Sequence, residues 1–395
     1  MSELTRLGDV VELLTGFPFK SSGFVDRASK STRLLRGDNI GHGTLRWGGA
    51  RYWPEDKNTA QDKYALAVDD VVLAMDRPWI SSGIKWAAVR SADLPCLLVQ
   101  RVARLRAKGV LEQSFLPYLV SSRQFSDYVQ GVQTGTAVPH ISSKQIQEFQ
   151  FRCPSVPEQR AIAAVLGALD DKISVNERIA GAADQLSAEL FRNAILTSPG
   201  RFTEQALSET AEFVNGRAFT KDATGTGRMV VRIAEINSGP GSSTVYNAID
   251  VPEKHLARPG DVLFAWSGSL TAARWFRPEA IINQHIFKCV PKNGFPQWLV
   301  SQLVHQKIDR FRAIAADKAT TMGHIQRKHL DEPVLVPTRE TLASLDVQIA
   351  PLWERALLAE RENLALANLR DTLLPQLMSG RLRVRDAEKI FEDHV

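Results

Sequence analysis

The chain contains its own plan twice. Leu7, Gly16 and Phe19 recur as Leu207, Gly216 and Phe219, each displaced by 200 residues. Arg36 and Ile40 recur at an offset of 196 as Arg232 and Ile236, and Asp70-Val71 with Ala74 recurs at 191 as Asp261-Val262 with Ala265. Lys85-Trp86 matches Arg274-Trp275, Gln100 matches Gln284, His140-Ile141 matches His324-Ile325, and Pro157 matches Pro337, while the offset shrinks from 189 to 180. Single matches of this kind are noise. A collinear series whose offset only falls is the mark of a tandem duplication in which one copy has lost loop residues. A chain of 395 residues built this way must fold as two similar globules, in line with the two or three domains its length allows.

Both copies share one internal order. Short β-prone stretches come first, broken by Gly, Pro, Asn and Asp, as in Asp70-Val71-Val72-Leu73-Ala74 and Asp261-Val262-Leu263-Phe264-Ala265. Helical segments are expected over Phe115–Val129 and over Pro296–Ile314. Each globule therefore reads as mixed α/β, of the α+β kind. The period then changes. From Glu158 the apolar positions are Ile162, Leu166, Leu169 and Ile173, then Ala180, Ala183 and Leu190. From Glu340 they are Leu342, Leu345, Ile349, Leu352, Ala356, Ala359, Leu366 and Leu373. Steps of three and four describe a coiled-coil seam, and Asn176 and Asn363 fall on it, where a buried Asn fixes register. The alternative is an amphipathic helix packed on its own globule. Pro351 should kink the second helix or mark its true start.

The expected domains are thus 1–157, a first long helix 158–197, a second globule 198–338, a second long helix 339–378, and a tail 379–395 packing back toward the first globule. Chain order makes paired helices antiparallel, and about 38 residues at 1.5 Å each give a length on the order of 57 Å. The expectation is two pseudo-symmetric globules separated by an antiparallel coiled coil.

Charge follows the same plan. The net charge of +5 divides into +5 for residues 1–157, −2 for 158–195, +4 for 196–338 and −2 for 339–395. Basic globules suit a polyanion, although such values also fit an ordinary surface. No apolar run of eighteen residues exists, so no membrane span is expected. Met1 to Arg6 lack the basic-then-apolar layout of a signal peptide, and Cys96, Cys153 and Cys289 form no CxxC pair. A cytoplasmic protein without a disulfide framework or cysteine zinc site is expected.

Several motifs carry a family resemblance. Leu7-Gly8-Asp9-Val10, then Gly16, then Arg36-Gly37-Asp38-Asn39-Ile40 resembles the opening of a Type I restriction–modification DNA specificity subunit. Asp261 to Gly268 resembles that family's mid-domain strand and loop, and Thr134 to Ile141 its late-domain motif. Pro157-Glu158-Gln159-Arg160 resembles its helix start, and Leu369 to Gly380 its C-terminal signature. The second copy departs at Ala206-Leu207-Ser208-Glu209, which lacks Gly-Asp, at Gly323 in place of Pro139, and at Thr338-Arg339-Glu340. The resemblance implies that each globule is a target-recognition domain reading one half of a bipartite, asymmetric site on double-stranded DNA. It implies that the helices set the spacer and dock two methyltransferase subunits, which bind S-adenosylmethionine and methylate adenine at N6. Restriction/translocase subunits, using ATP and Mg, would complete the enzyme.

The residues themselves argue against catalysis. An amino-methyltransferase needs an Asn/Asp-Pro-Pro-aromatic loop, and no Pro-Pro dipeptide occurs. No GxxxxGK[ST] phosphate loop is present. Asp170-Asp171-Lys172 lies on the heptad helix without an upstream partner, and His324 and His329, five apart, do not share a helical face as metal ligands would. A non-catalytic chain without its own cofactor or metal is expected. Lys and Arg bind phosphates, whereas Arg, Lys, Asn, Gln, Ser and Thr read base edges. Loops rich in them at matching points are the candidate DNA contacts: Lys20, Ser21, Ser22, Arg77, Lys85, Gln133, Thr134 and Thr136 in the first copy, and Arg217, Lys221, Ser267, Ser269, Arg274, Lys318, Thr320 and Thr321 in the second. Each could equally be a solvated loop residue. His140, His324, Trp86 and Trp275 read as packed structural residues. Two rivals stay open, a fused or stand-alone DNA-modifying enzyme and a coiled-coil adaptor that never binds DNA.

Overall fold

A computed structural model describes residues 4–27, 30–55, 62–80, 83–135, 139–317 and 323–392. The chain divides into two compact units, Met1–Leu169 with Asn368–Val395, and Asp170–Ala367. Among the described residues no helix is long and apolar enough to cross a membrane.

In the first unit, the described residues form a four-stranded antiparallel sheet in the order Val11–Thr15, Val102–Ala107, Val71–Ala74, Trp86–Ala88. Val71 to Ala74 are wholly buried, which accounts for their unbroken apolar run: a strand covered on both faces has no polar side to alternate with. A second sheet runs Arg51–Pro54, Ser31–Leu35, Cys96–Leu98, and its last pair is parallel. Leu4–Arg6 pairs with Gln150–Arg152 and closes the globule.

The second unit repeats this wiring. Its main sheet runs Ala211–Asn215, Ile286–Pro291, Val262–Ala265, Thr271–Arg274. Its second sheet runs Val245–Asn247, Arg228–Val231, Ala280–Ile282, Leu256–Ala257 and again contains one parallel pair. Phe202–Ala206 pairs with Pro333–Pro337. The duplication reaches individual hydrogen bonds. Asp70 accepts from the Ala67 amide at 2.8 Å and pairs with Arg106; Asp261 accepts from the Arg258 amide at 2.7 Å and pairs with Lys288 at 3.0 Å.

One helical expectation needs correction. Phe115–Val129 is not a single segment: helices span Leu116–Ser121 and Arg123–Val132, broken at Ser122, whose backbone is extended and whose Oγ caps the second helix by accepting from the Phe125 amide at 3.2 Å. The second copy keeps one helix, Gln297–Asp317.

The long helices span Val156–Thr197 and Arg339–Met378. Their starts explain the sequence motifs there. Glu158 accepts from the Ser155 amide at 2.9 Å, capping the first helix, with Pro157 in its first turn. The buried Gln159 donates to the carbonyls of Val110 and Pro154, both at 2.9 Å, and accepts from the Glu112 amide at 2.8 Å. Arg160 pairs with Glu112 at 2.8 Å. Thr338 supplies the second cap, accepting from the Thr341 amide at 3.4 Å. The second helix continues through Pro351, so that residue does not mark its start.

Within the second unit the two helices touch. Asn176 donates to Glu362 at 2.8 Å, Asn363 donates to the Ile173 carbonyl at 3.2 Å, and Ala180, Ala183, Ala356 and Ala359 form a small apolar cluster with Leu352 at its edge. Rising numbers on one helix meet falling numbers on the other, so this stretch is antiparallel. Leu345 and Ile349 lie instead in the globular core, beside Phe191, Trp298 and Phe311. Ile162, Leu166, Leu169 and Leu373 are buried in the first unit, and Leu366 is buried in the second.

Candidate nucleic-acid interface

Four strand ends meet in each unit, and a glycine makes the meeting possible. In the first, Gly16 lies so close to the 99–101 turn that an added Cβ would sit 2.2 Å from the Val99 carbonyl oxygen; at Gly216 the same atom would sit 2.0 Å from that of Asn283. The approach is fixed by Gly16 N–H to Val102 O and Gln100 N–H to Phe17 O, mirrored by Gly216 to Ile286 and Gln284 to Arg217. Next to this turn, Met75 donates to Arg101 O and accepts from the Ile141 amide; Trp266 donates to His285 O and accepts from the Ile325 amide. Arg77 donates to Pro139 O as Gly268 does to Gly323 O. The two junctions are one backbone frame used twice.

The side chains on that frame differ. In the first unit Asp76 accepts from Arg101 and from His140 Nδ1, the latter at 2.6 Å. Burial pushes the Asp76 carboxyl up, but the hydrogen bonds from Arg101 and His140 outweigh it and hold the group below its ordinary value. Arg101 is raised by its bond to Asp76. The matching places in the second unit hold Ser267, His285 and His324 around Trp266, whose ring lies 5.0 Å from that of His285 and 6.4 Å from that of His324. Arg77, Arg101 and His285 all take positive φ, at 44°, 65° and 73°. That region is unfavourable for side chains of this size and is commonest where function demands it.

The expected DNA-contact residues divide sharply. Lys20, Ser21, Ser22, Arg77 and Thr134 are exposed, and Gln133 is half-buried. Arg77 and Thr134 border the first junction, Thr134 through a bridge to His140. Arg217, Lys221 and Ser269 are exposed in the second unit. Ser269 accepts from Asn237 Nδ2 at 2.9 Å on the wall of an open cavity of about 450 Å³ that Arg312 and Gly323 also line. Thr136, Lys318, Thr320 and Thr321 lie outside the described residues.

Three candidates are corrected. Arg274 is not a surface cation: it is buried, bonded to Glu360 and Asp184 and stacked 4.4 Å over Trp353, so its charge is spent inside the protein. Lys85 is buried too, and burial pushes its ammonium below the ordinary lysine value, against the pull of Asp38 and with the help of Arg77. Ser267 is buried in its bridge to His324. Of the packed residues, Trp275 is buried as expected, whereas Trp86 and His140 are part-exposed and His324 is exposed.

Asp76, Arg101 and His285 lie at the two junctions and Asn237 on the cavity wall, and the motif reading named none of them. The signal for two of them was the Gln100–Gln284 match, since the next residue in each copy is the one that changes, Arg101 against His285.

Residues 2–182 match the family model described as Type I restriction modification DNA specificity domain. The first part of the chain is thus similar to Type I specificity subunits. The chain is 37% identical over 157 residues to the Type I restriction enzyme EcoAI specificity subunit of Escherichia coli, a match covering 40% of this chain and 26% of that subunit. It is 30% identical over 177 residues to the MjaVIII specificity subunit of Methanocaldococcus jannaschii, covering 45% of this chain and 41% of the relative. These two matches therefore span less than half of either relative. The MjaIX specificity subunit of the same organism is matched at 23% identity over 75% of this chain and 76% of its own length. The fold is also that of the crystallised Type I system S subunit from M. genitalium, with a TM-score of 0.53, 14% identity, and coverage of 95% and 96% of the two chains.

Proposed function

We propose that this chain is a specificity subunit that reads a bipartite, asymmetric site on double-stranded DNA, each globule taking one half. The observation that carries the reading is the doubled junction: one hydrogen-bonded frame presents Arg101 and His140 in one copy and His285 and His324 in the other. A duplicated frame gives two equivalent docking geometries, and unlike side chains give two unlike sequences.

In this reading residues 1–157 and 198–338 are the target-recognition domains, and 379–395 packs back toward the first. Residues 158–197 and 339–378 form an antiparallel coiled coil that sets the spacer and docks two methyltransferase subunits. The chain is cytoplasmic and non-catalytic. S-adenosylmethionine binds the methyltransferase partners, which methylate adenine at N6, and ATP and Mg serve the restriction/translocase partners.

The test is binding of the assembled chain and methyltransferase subunits to duplexes carrying the motif methylated in the host. Both half-sites should be required, and log affinity should fall linearly with log salt as phosphate contacts release counterions. Binding indifferent to salt and to sequence would support the adaptor reading instead.

A further inference from the structure

We propose that Arg101 is the base-reading residue of the first half-site, selecting a guanine, and that Asp76 and His140 position it. The inference rests on the DNA-reading function and names how that function is carried out at one junction.

Four observations converge on Arg101. Its side chain is 66% exposed, although the residue sits at the centre of the strand junction, next to Arg77 and the His140–Thr134 bridge. Its guanidinium is tied to Asp76, whose side chain is only 21% exposed and whose second oxygen accepts from His140 at 2.6 Å. Its backbone is held at φ 65° by the turn that Gly16 packs against, so the side chain leaves a strained and fully determined position. Last, the frame is duplicated and this residue is not: His285 has the same φ range and the same backbone bond to its neighbouring strand, with an imidazole in place of the guanidinium.

A guanidinium offers five donors in a rigid fork, and its best match among base edges is the O6/N7 acceptor pair of guanine in the major groove. A carboxylate behind it removes the freedom a surface arginine would lose on binding, and leaves further N–H groups to point outward. Asp76 is only 21% exposed and both of its oxygens are already engaged, by Arg101 and by His140. The geometry assigns it to positioning. A neutral imidazole offers one donor and one acceptor in place of the fork, so the second copy lacks this bidentate match to guanine.

The test uses Arg101→His in the complete complex, because the second copy already accommodates histidine at this backbone geometry. The host motif is read by methylome sequencing, and affinities are measured for duplexes with each base at each motif position. Discrimination for guanine at one position of one half-site should fall roughly 5- to 150-fold, with the other half-site unchanged. Asp76→Asn should weaken the same guanine preference by a smaller factor and shift no other position. An unchanged motif with undiminished guanine preference would overturn the assignment. So would a uniform loss across all sequences at an unchanged unfolding midpoint, since that marks a phosphate contact. If the parent complex shows no bipartite motif at all, the half-site reading has failed rather than this residue's part in it.

Discussion

Arg274 Nε lies 2.8 Å from Glu360 Oε2, joining the edge strand of the second globule to the second long helix. The same guanidinium reaches Asp184 on the first long helix at 3.2 Å and stacks on Trp353. Burial lifts the Glu360 carboxyl above its usual range against the pull of Arg274. The arginine stays fully charged, because its bonds to Glu360 and Asp184 outweigh the effect of its own burial.

Removing one partner of such a pair strands the other. Arg274→Ala should therefore destabilise the chain by about 3 kcal/mol. Arg274→Lys should recover less than half of this, since lysine has neither the fork nor the planar stacking face. Urea unfolding measures both. DNA specificity of the folded fraction should not change, and a shifted motif would return Arg274 to the DNA-contacting residues.

Glu235 gives a pH prediction. It is buried and accepts from Arg232 Nη2 at 2.6 Å, from the Arg232 amide at 2.9 Å and from Thr244 Oγ1 at 2.9 Å. Burial pushes its carboxyl up, but these donors prevail and hold it below the usual value of 4.5. A carboxyl depressed in the folded state contributes stability that is complete above its unfolded pKa and lost as pH falls through the folded one. Glu235→Gln should cost about 1–3 kcal/mol at pH 7 and flatten the acid loss of stability below about pH 4.5. Denaturant titrations at pH 7 and pH 3 should show parent and variant converging. Parallel curves would mean that Glu235 contributes nothing to acid sensitivity.

Gly16→Ala and Gly216→Ala should act on one half-site each. Their methyl groups would overlap the Val99 and Asn283 carbonyls, forcing the turn to move at a cost of about 2 kcal/mol. Motif sequencing should show relaxed preference in a different half for each variant. Equal relaxation of both halves by either one would contradict independent readers.

These cases show what the residue string could and could not disclose. Asp70 and Asp261, Gly16 and Gly216, and the apolar runs that follow the aspartates have matching roles because backbone geometry dictates them locally. The long helices announce themselves by period. Arg274 misleads because its partners are 86 and 90 residues away, and nothing local distinguishes a buried cation from a phosphate ligand. Ser122 misleads because one capping hydroxyl breaks a helix whose apolar pattern continues. Arg101 escapes notice because its value lies in a difference between copies, whereas a repeat search rewards sameness.

The helices yield a prediction about spacing. Four residues inserted near Asn176 would lengthen the first long helix by roughly 6 Å. At about 3.4 Å per base pair, the gap between half-sites should grow by about one or two base pairs. Two residues would turn the seam by about half a revolution, remove Asn176 from Glu362 and abolish assembly. Methylomes of the insertion strains measure this. An active four-residue variant with the original gap would show that the helices do not set it.

The central claim is that two unlike readers share one frame, and exchanging a reader tests it most directly. Residues 10–150 would be replaced by the equivalent domain of a related specificity subunit, and the methylated-adenine motif of the resulting strain sequenced. The account predicts a motif in which one half is new while the other half is that of the parent. A motif in which both halves change together, or neither does, would contradict it.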